Sequence, residues 1–397
     1  MTGLVYGIDL GTTTSAVVVG RADGSSVRVR DPGSAHGSYA IPTSVCLTPD
    51  GDPVVGAAAE RAKAGCPDRY YGEFKREFGV LSPVRRGGRS VRPHDLAAEV
   101  LRFLRAAAAA QVPGEPELTV ITVPAAWEGG NRELMAGAAE LAGFDPARVR
   151  LRPEPVAAAA YAVGGPGGAA GAAAGRTLVY DLGGGTVDCA LAGPAAGGGF
   201  EVLGAPGGLQ DVGAGAFDRL ILGRLRREFP EPAAKLLDGA AVDRDTARRR
   251  LALLDACEQL KIQLSVARVH EVYLTEVDPP ARFRMTRAEL AELIRPLLRE
   301  TVAECERLLG GLGLGWPEVD RIVPVGGSCR LPLVGELLAR HSGRAVLPVD
   351  DPELAVAHGA ALLARSLVEP VGSGGRSAAA PAYEYPYHPD KSPFERD

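Results

Sequence analysis

At 397 residues, 46% hydrophobic and 23% charged, the chain has an ordinary globular composition and exceeds the usual size of one core, which predicts two lobes. A net charge of -5, with no basic stripe bearing interleaved aromatics, gives no electrostatic case for nucleic acid as a partner. No apolar run reaches membrane-spanning length, no basic leader opens the chain, and the six cysteines form no C-x-x-C pair, so the expectation is a cytoplasmic protein without membrane contact or zinc, its thiols reduced.

The first lobe is predicted over residues 1–163. Strands at Leu4–Asp9, Ala16–Gly20 and Val27–Arg30, joined by turns at Gly11–Thr14 and Asp23–Gly24, open it as a meander in a mixed sheet. An insertion over about 37–112 holds mixed loops, the Phe74-Lys75-Arg76 segment and an amphipathic helix from about Asp95 with Leu96, Val100, Leu101 and Leu104 on one stripe. The sheet resumes with a strand at Leu118–Val123, a helix over Asn131–Ala142, a strand at Val149–Arg152 and a helix from Pro155 to Ala162.

Residues 164–176 are nearly all Gly and Ala, too poor in side chains to pack a core, and predict a flexible connection. The second lobe, 177–367, restarts the pattern with strands at Thr177–Asp181, Val187–Leu191 and Phe200–Leu203. Its insertion, about 213–309, is predicted to carry helices near Gly215–Phe229 and Asp243–Ala267 and strands at Glu271–Leu274 and Arg282–Met285. A further helix is opened by a capping box at Thr286 and Glu289. A strand at Arg321–Val325, a helix after Pro332 and a last helix over Glu353–Leu367 complete it, and 368–397 reads as a disordered tail. Its Tyr383–Tyr387 patch is either a docking site or idle.

Two near-copies of one turn mark the chain: Gly7-Ile8-Asp9-Leu10-Gly11-Thr12-Thr13 and Val179-Tyr180-Asp181-Leu182-Gly183-Gly184-Gly185-Thr186. Each is a hairpin tip with an Asp at the end of the incoming strand. Glycines let backbone N–H groups approach phosphate oxygens, threonines add hydroxyl donors, and the carboxylate can hold hydrated Mg²⁺. One such turn is commonly only a turn; two facing copies make a jaw for a triphosphate.

Glu258, Lys261 and Ser265 fall on one face of the helix near 250, whose other positions include Leu251, Leu254 and Leu264. That face is either solvated or a hydrogen-bonding edge for a ribose and adenine. A third glycine turn, Gly326-Gly327-Ser328-Cys329-Arg330, follows a strand and precedes a helix, where an α/β sheet places a nucleotide. Only five of the 44 basic residues are Lys, among them Lys75 and Lys261, which makes a compact ammonium at those points either incidental or required.

These three turns resemble the two phosphate motifs and the adenosine motif of the actin-like ATPase superfamily. Val123-Pro124-Ala125-Ala126-Trp127, Arg132, Arg152-Pro153-Glu154-Pro155-Val156 and Cys257-Glu258-Gln259-Leu260-Lys261 with Ser265 make the chain similar to the ATPase domain of the DnaK-type heat-shock protein 70 family. The resemblance runs from about residue 3 to 366. It implies an α/β fold of two actin-like, ribonuclease H-like lobes, each a mixed five-stranded sheet with helices and an inserted subdomain, around a nucleotide cleft. It further implies slow hydrolysis of ATP to ADP and phosphate. Asp9 and Asp181 would hold Mg²⁺ through water, with K⁺ a further candidate ion, and Lys75 and Glu154 would position the attacking water. Thr186 would lie near the γ-phosphate, and Asp188 follows that turn as in the family. The remaining nucleotide contacts implied are Gly11, Thr12, Thr13, Thr14, Gly183, Gly184, Gly185, Gly213, Ala214, Glu258, Lys261, Ser265, Gly326, Gly327, Ser328, Arg330 and Glu353.

The departures are as specific. Val212-Gly213-Ala214 stands for a Leu-Gly-Gly turn, Ile262 for the Arg that stacks on adenine, and Glu353 for an Asp. Arg150 matches the co-chaperone surface but Pro153 and Val156 replace its Asn and Thr, which counts against a J-domain partner. No peptide-binding β domain follows Leu367, so the expected function is that of a monomeric nucleotide-driven switch acting on an unknown partner protein. The alternatives are a nucleotide-gated scaffold without useful turnover, an actin-like filament former or a sugar kinase.

Overall fold

The computed structural model describes residues 3–79, 83–86, 89–127, 129–165, 175–195, 200–238 and 243–368. The predicted tail, its tyrosine patch and most of the Gly/Ala connection lie outside the described residues. In chain order the first half carries β1 (Val5–Leu10), β2 (Thr14–Gly20), β3 (Ser26–Arg28), β4 (Ile41–Pro42), β5 (Ser44–Leu47), β6 (Pro53–Val55), α1 (Ala57–Ala62), β7 (Tyr70–Gly72), β8 (Val84–Arg86), β9 (Arg89–Val91), α2 (Pro93–Gln111), β10 (Leu118–Val123), α3 (Gly129–Leu141), β11 (Val149–Pro153) and α4 (Glu154–Gly164). The second half carries β12 (Thr177–Leu182), β13 (Thr186–Pro194), β14 (Phe200–Gln210), α5 (Ala214–Glu228), α6 (Pro230–Leu237), α7 (Arg244–Val266), β15 (Val269–Leu274), β16 (Ala281–Thr286), α8 (Arg287–Gly311), β17 (Arg321–Val325), α9 (Pro332–Ser342), β18 (Ala345–Val346) and α10 (Ala355–Val368).

Two sheets repeat one plan. The first runs β11-β10-β1-β2-β3 and the second β18-β17-β12-β13-β14; in each the first three strands are parallel and the last two antiparallel to their neighbours. The first sheet has a sixth strand where five were expected, because Ile41–Pro42 pairs with the start of β2. The predicted loops of the first insertion contain a three-stranded sheet, β6-β5-β7, and the second insertion gains α6, begun by Pro230 at the first helical position, where its missing N–H costs nothing.

Each sheet has its own core, and a third apolar layer lies between them. Val5 and Val120 of the first sheet meet Val179 and Val323 of the second through Val156–Ala162 of α4 and Ala355, Val356 and Ala360 of α10. The two helices cross backbone to backbone: a Cβ on Gly359 would fall on the carbonyl of Ala157. Another on Gly7 would fall on the α10 backbone, so α10 closes directly over β1. Among the described residues no helix is long and apolar enough to cross a membrane.

Candidate nucleotide and phosphate site

Asp9 lies near the end of β1 and Asp181 near the end of β12, so the duplicated plan delivers both carboxylates to one cavity of about 250 Å³. The sequence-predicted residues lining it are Asp9, Gly11, Thr12, Thr13, Thr14, Lys75, Glu154, Asp181, Gly183, Gly184, Thr186, Ala214, Glu258, Lys261, Ser265, Gly326, Gly327, Ser328, Arg330 and Glu353. Gly185 and Gly213 are placed just behind the wall. A side chain at Gly185 would strike Thr12, and one at Gly213 would come within 2.5 Å of the Gly183 carbonyl. Both stand where one chain segment packs on another, and beside them Ala214 and Gly215 donate to the carbonyls of Gly183 and Gly184 at 3.1 and 3.0 Å.

The centre of the cavity is a carboxylate cluster with one cation. Lys75 Nζ donates to Glu154 Oε1 at 2.8 Å, and both side chains are buried. Lys75 comes from a short 3₁₀ turn at Phe74–Glu77 and lies over the Trp127 ring at 5.4 Å, with Trp127 stacked on Phe78. Glu154 is the first residue of α4, placed where β11 ends. Burial pushes Asp9 up to about 7 and the Glu154 charge adds to it, while Lys75 and the Thr122 hydroxyl, which donates to Asp9 at 3.0 Å, oppose. Burial likewise pushes Asp181 well above the carboxylate range, with Glu154, Asp9 and Asp188 acting in the same direction.

Asp188 does not line the cavity. It accepts from the Ala125 backbone N–H at 2.8 Å, tying the second sheet to the loop after β10, and burial followed by the Glu154 charge pushes it up to about 7. Arg76 was not singled out by sequence reasoning, yet its guanidinium pairs with Asp211 and donates to the Gly184 carbonyl at 3.0 Å, bridging the two halves. Its only sequence signal is its place beside Lys75.

At the other end, the predicted polar face of α7 does turn to the cavity, but its groups are partly engaged. Lys261 pairs with Asp218 at 2.7 Å and Ser265 donates to the Ile262 carbonyl at 2.7 Å. Arg330 makes a double contact with Glu353 at 2.9 and 2.8 Å, and Ser328 donates to the Gly183 carbonyl at 2.8 Å. Ile262, 45% exposed, and Leu331, Pro352 and Val356 add an apolar wall. Leu251 and Leu254 are not core positions of their own lobe: Leu251 packs on Tyr70 of the first, and Leu254 is exposed.

The arrangement fits a magnesium-bound phosphate group. The carboxylates offer hard oxygen donors, and Thr13 Oγ1 is buried at the cavity with no hydrogen-bond partner in the structure. Opposite it, a side chain at Gly184 would overlap Thr13, so the second turn approaches the first as bare backbone.

The model of the Hsp70 protein family matches residues 80–371. The chain is 32% identical over 368 residues to the chaperone protein DnaK of Elusimicrobium minutum, covering 91% of this chain and 57% of that protein. It is likewise 32% identical to DnaK of Thermotoga neapolitana (94% of this chain, 61% of that one) and of Methanothermobacter thermautotrophicus (90% and 59%). It therefore spans about three fifths of the length of these relatives. With two sheets of one topology facing each other across the doubled turn, and a family model matched over most of its length, the chain belongs to the Hsp70 family.

Proposed function

We propose that the cleft binds ATP with Mg²⁺ and hydrolyses it slowly, and that the nucleotide state sets how the two halves close on each other. One observation carries the reading: the buried Lys75–Glu154 pair, 2.8 Å apart, projects into a cavity walled by both aspartate–glycine turns. Bound Mg²⁺ supplies charge neutralisation on phosphate oxygens, and Asp9 and Asp181 are the side chains that would hold its water shell. Lys75, a donor, and Glu154, an acceptor, are hydrogen-bonded to each other and would hold the attacking water beside their pair, one donating to it and the other accepting from it. Thr12, Thr13, Thr186 and the backbone of Gly183–Gly184 bind phosphate; α7, Ser328, Arg330 and Glu353 bind the nucleoside. Breaking a phosphoanhydride needs positioning and electrostatics more than covalent chemistry, and these residues supply both.

Contacts such as Arg76 to Gly184 and Ala125 to Asp188 join the halves next to the phosphate turns, so a change in phosphate count is felt where the halves meet. A partner protein that distinguishes the closed from the open form would read that change. The test is calorimetry with Mg²⁺ and ATP on the purified chain, followed by phosphate release under single-turnover conditions. Binding with phosphate release above buffer supports the proposal. Binding without release would make the protein a nucleotide-gated scaffold.

A further inference from the structure

Of the six free cysteines, Cys46 and Cys66 lie side by side. Cys189 and Cys305 are both fully buried. Cys46 and Cys66 differ in access. Cys46, on β5, is buried, whereas Cys66, in the loop between α1 and β7, is half-exposed. The Cys46 thiol points at the Cys66 carbonyl, 4.0 Å away, and Cys66 packs against the apolar cluster that holds Cys46. The Arg69 guanidinium donates to the Cys66 sulfur at 3.6 Å, setting a cation against the exposed member of the pair.

The pair has something to act on. Gly65, the neighbour of Cys66, accepts at its carbonyl from Arg244 at the start of α7. Lys63 pairs with Asp255 of α7, and Leu251 of α7 packs against the cluster of Cys46, Ala59 and Tyr70. One turn beyond Asp255 the same helix reaches Glu258 and becomes a wall of the cavity. The two thiols therefore sit beneath the contact by which the first insertion holds that helix.

We propose that Cys46 and Cys66 form a hydroperoxide-sensitive dithiol, and that its closure to a disulfide loosens α7 and speeds nucleotide release. Burial pushes the Cys46 thiol up to about 11, and the half-exposed Cys66 takes the first step. Its sulfur attacks one peroxide oxygen; the O–O bond breaks, the other oxygen leaves as water, and Cys66 becomes a sulfenic acid. The Cys46 sulfur then attacks that sulfur, the S–S bond forms, and the displaced hydroxyl leaves with the Cys46 proton as a second water. Two thiols lose two electrons and one hydroperoxide gains them. β5 is held between β6 and β7, whereas residues 63–66 are a loop end. Closure thus draws Cys66 inward to Cys46, off Arg69, and pulls Gly65 and Lys63 away from Arg244 and Asp255. The effect on release rests on the nucleotide reading of the cleft; the thiol chemistry and the loosening of α7 do not.

The test uses the full chain, oxidised with hydrogen peroxide, blocked with N-ethylmaleimide, digested without reduction and mapped by mass spectrometry. The expected result is a linked Cys46–Cys66 peptide that dithiothreitol reverses and that Cys66→Ser lacks. Deuterium exchange of the backbone over residues 244–255 should rise severalfold in oxidised wild type, and the release rate of mant-ADP by about threefold, with neither change in Cys66→Ser or in a second variant, Cys46→Ala. If mant-ADP does not bind at all, the reading of the cleft fails, and the linked peptide and the exchange decide the proposal by themselves. Oxidation of Cys66 without the linked peptide, or exchange that rises equally in the variants, would overturn it.

Discussion

The two carboxylates of the doubled turn occupy equivalent places in equivalent sheets, yet their surroundings differ at both neighbouring strands. Asp9 is flanked by Ala16 on β2 and Thr122 on β10; Asp181 is flanked by Asp188 on β13 and Val325 on β17. The first lobe thus sets a small side chain and a hydroxyl donor beside its aspartate, and the second sets another acid and a methyl-bearing wall. Asp9 stops at about 7 and Asp181 goes well beyond the carboxylate range. Burial and the Glu154 charge raise both aspartates; Thr122 eases that at Asp9, while Asp9 and Asp188 add to it at Asp181, so one backbone plan carries two unequal carboxylates.

The largest expected effect tests what the two sides share. Lys75 lowers both aspartates and pairs with Glu154, so Lys75→Ala should cut phosphate release by roughly 100-fold or more, as loss of a positioned proton-handling group does, while affinity for Mg²⁺ and ATP falls by the lesser factor of about ten that raised aspartates bring. Single-turnover kinetics beside calorimetry separates the two, and equal losses in both would mean that Lys75 serves binding alone.

Thr122→Val then copies the second lobe's residue into the first. Removing a hydrogen bond to a charged group should weaken binding of Mg²⁺ and ATP at pH 7 by about tenfold. The loss should shrink by pH 9, where Asp9 is ionised regardless. An unchanged affinity at pH 7 would show that Thr122 is not what separates the aspartates.

Ile262→Arg addresses the apolar wall of α7, which belongs to the second half only. A guanidinium over the base is worth about 0.5–2 kcal/mol, so ATP should bind severalfold more tightly by calorimetry. Weaker binding would mean that the wall already packs on the base.

The smallest effect concerns Asp188. Its folded pKa is raised, so its ionised form costs stability: the cost is absent at low pH, grows as pH rises above the usual carboxylate value, and is complete above about 7. Asp188→Asn keeps an oxygen for the Ala125 N–H and removes the charge, so the nucleotide-free protein should melt about 2 °C higher at pH 8, by clearly less at pH 5, and no higher at pH 3. Equal shifts at both pH values would point to packing in place of charge.

Much of this was legible in the sequence, and unevenly so. Leu118–Val123 and Arg321–Val325 form strands over the residues expected, since both are short apolar runs with clear ends. The strand expected at Phe200–Leu203 runs on to Gln210, although Ala205-Pro206-Gly207-Gly208 reads as a turn. It is an edge strand, where a proline without an N–H is tolerated. The lining residues were found because glycine, threonine and acid stand together at turns. What sequence did not separate was a glycine that lines the cavity from one with another chain segment against it, as at Gly185 and Gly213. Nor did it show Thr122 beside Asp9, which depends on strand register across more than a hundred residues.

The closing of α10 over Gly7 also has a meaning for how the protein is made. The strand β1 is made well before the helix that covers it, which is completed only at Val368. At ordinary translation speeds that interval is about 20–70 s, during which the outer face of β1 has no permanent cover. Until α10 arrives, that face of β1 is open to contact with other chains.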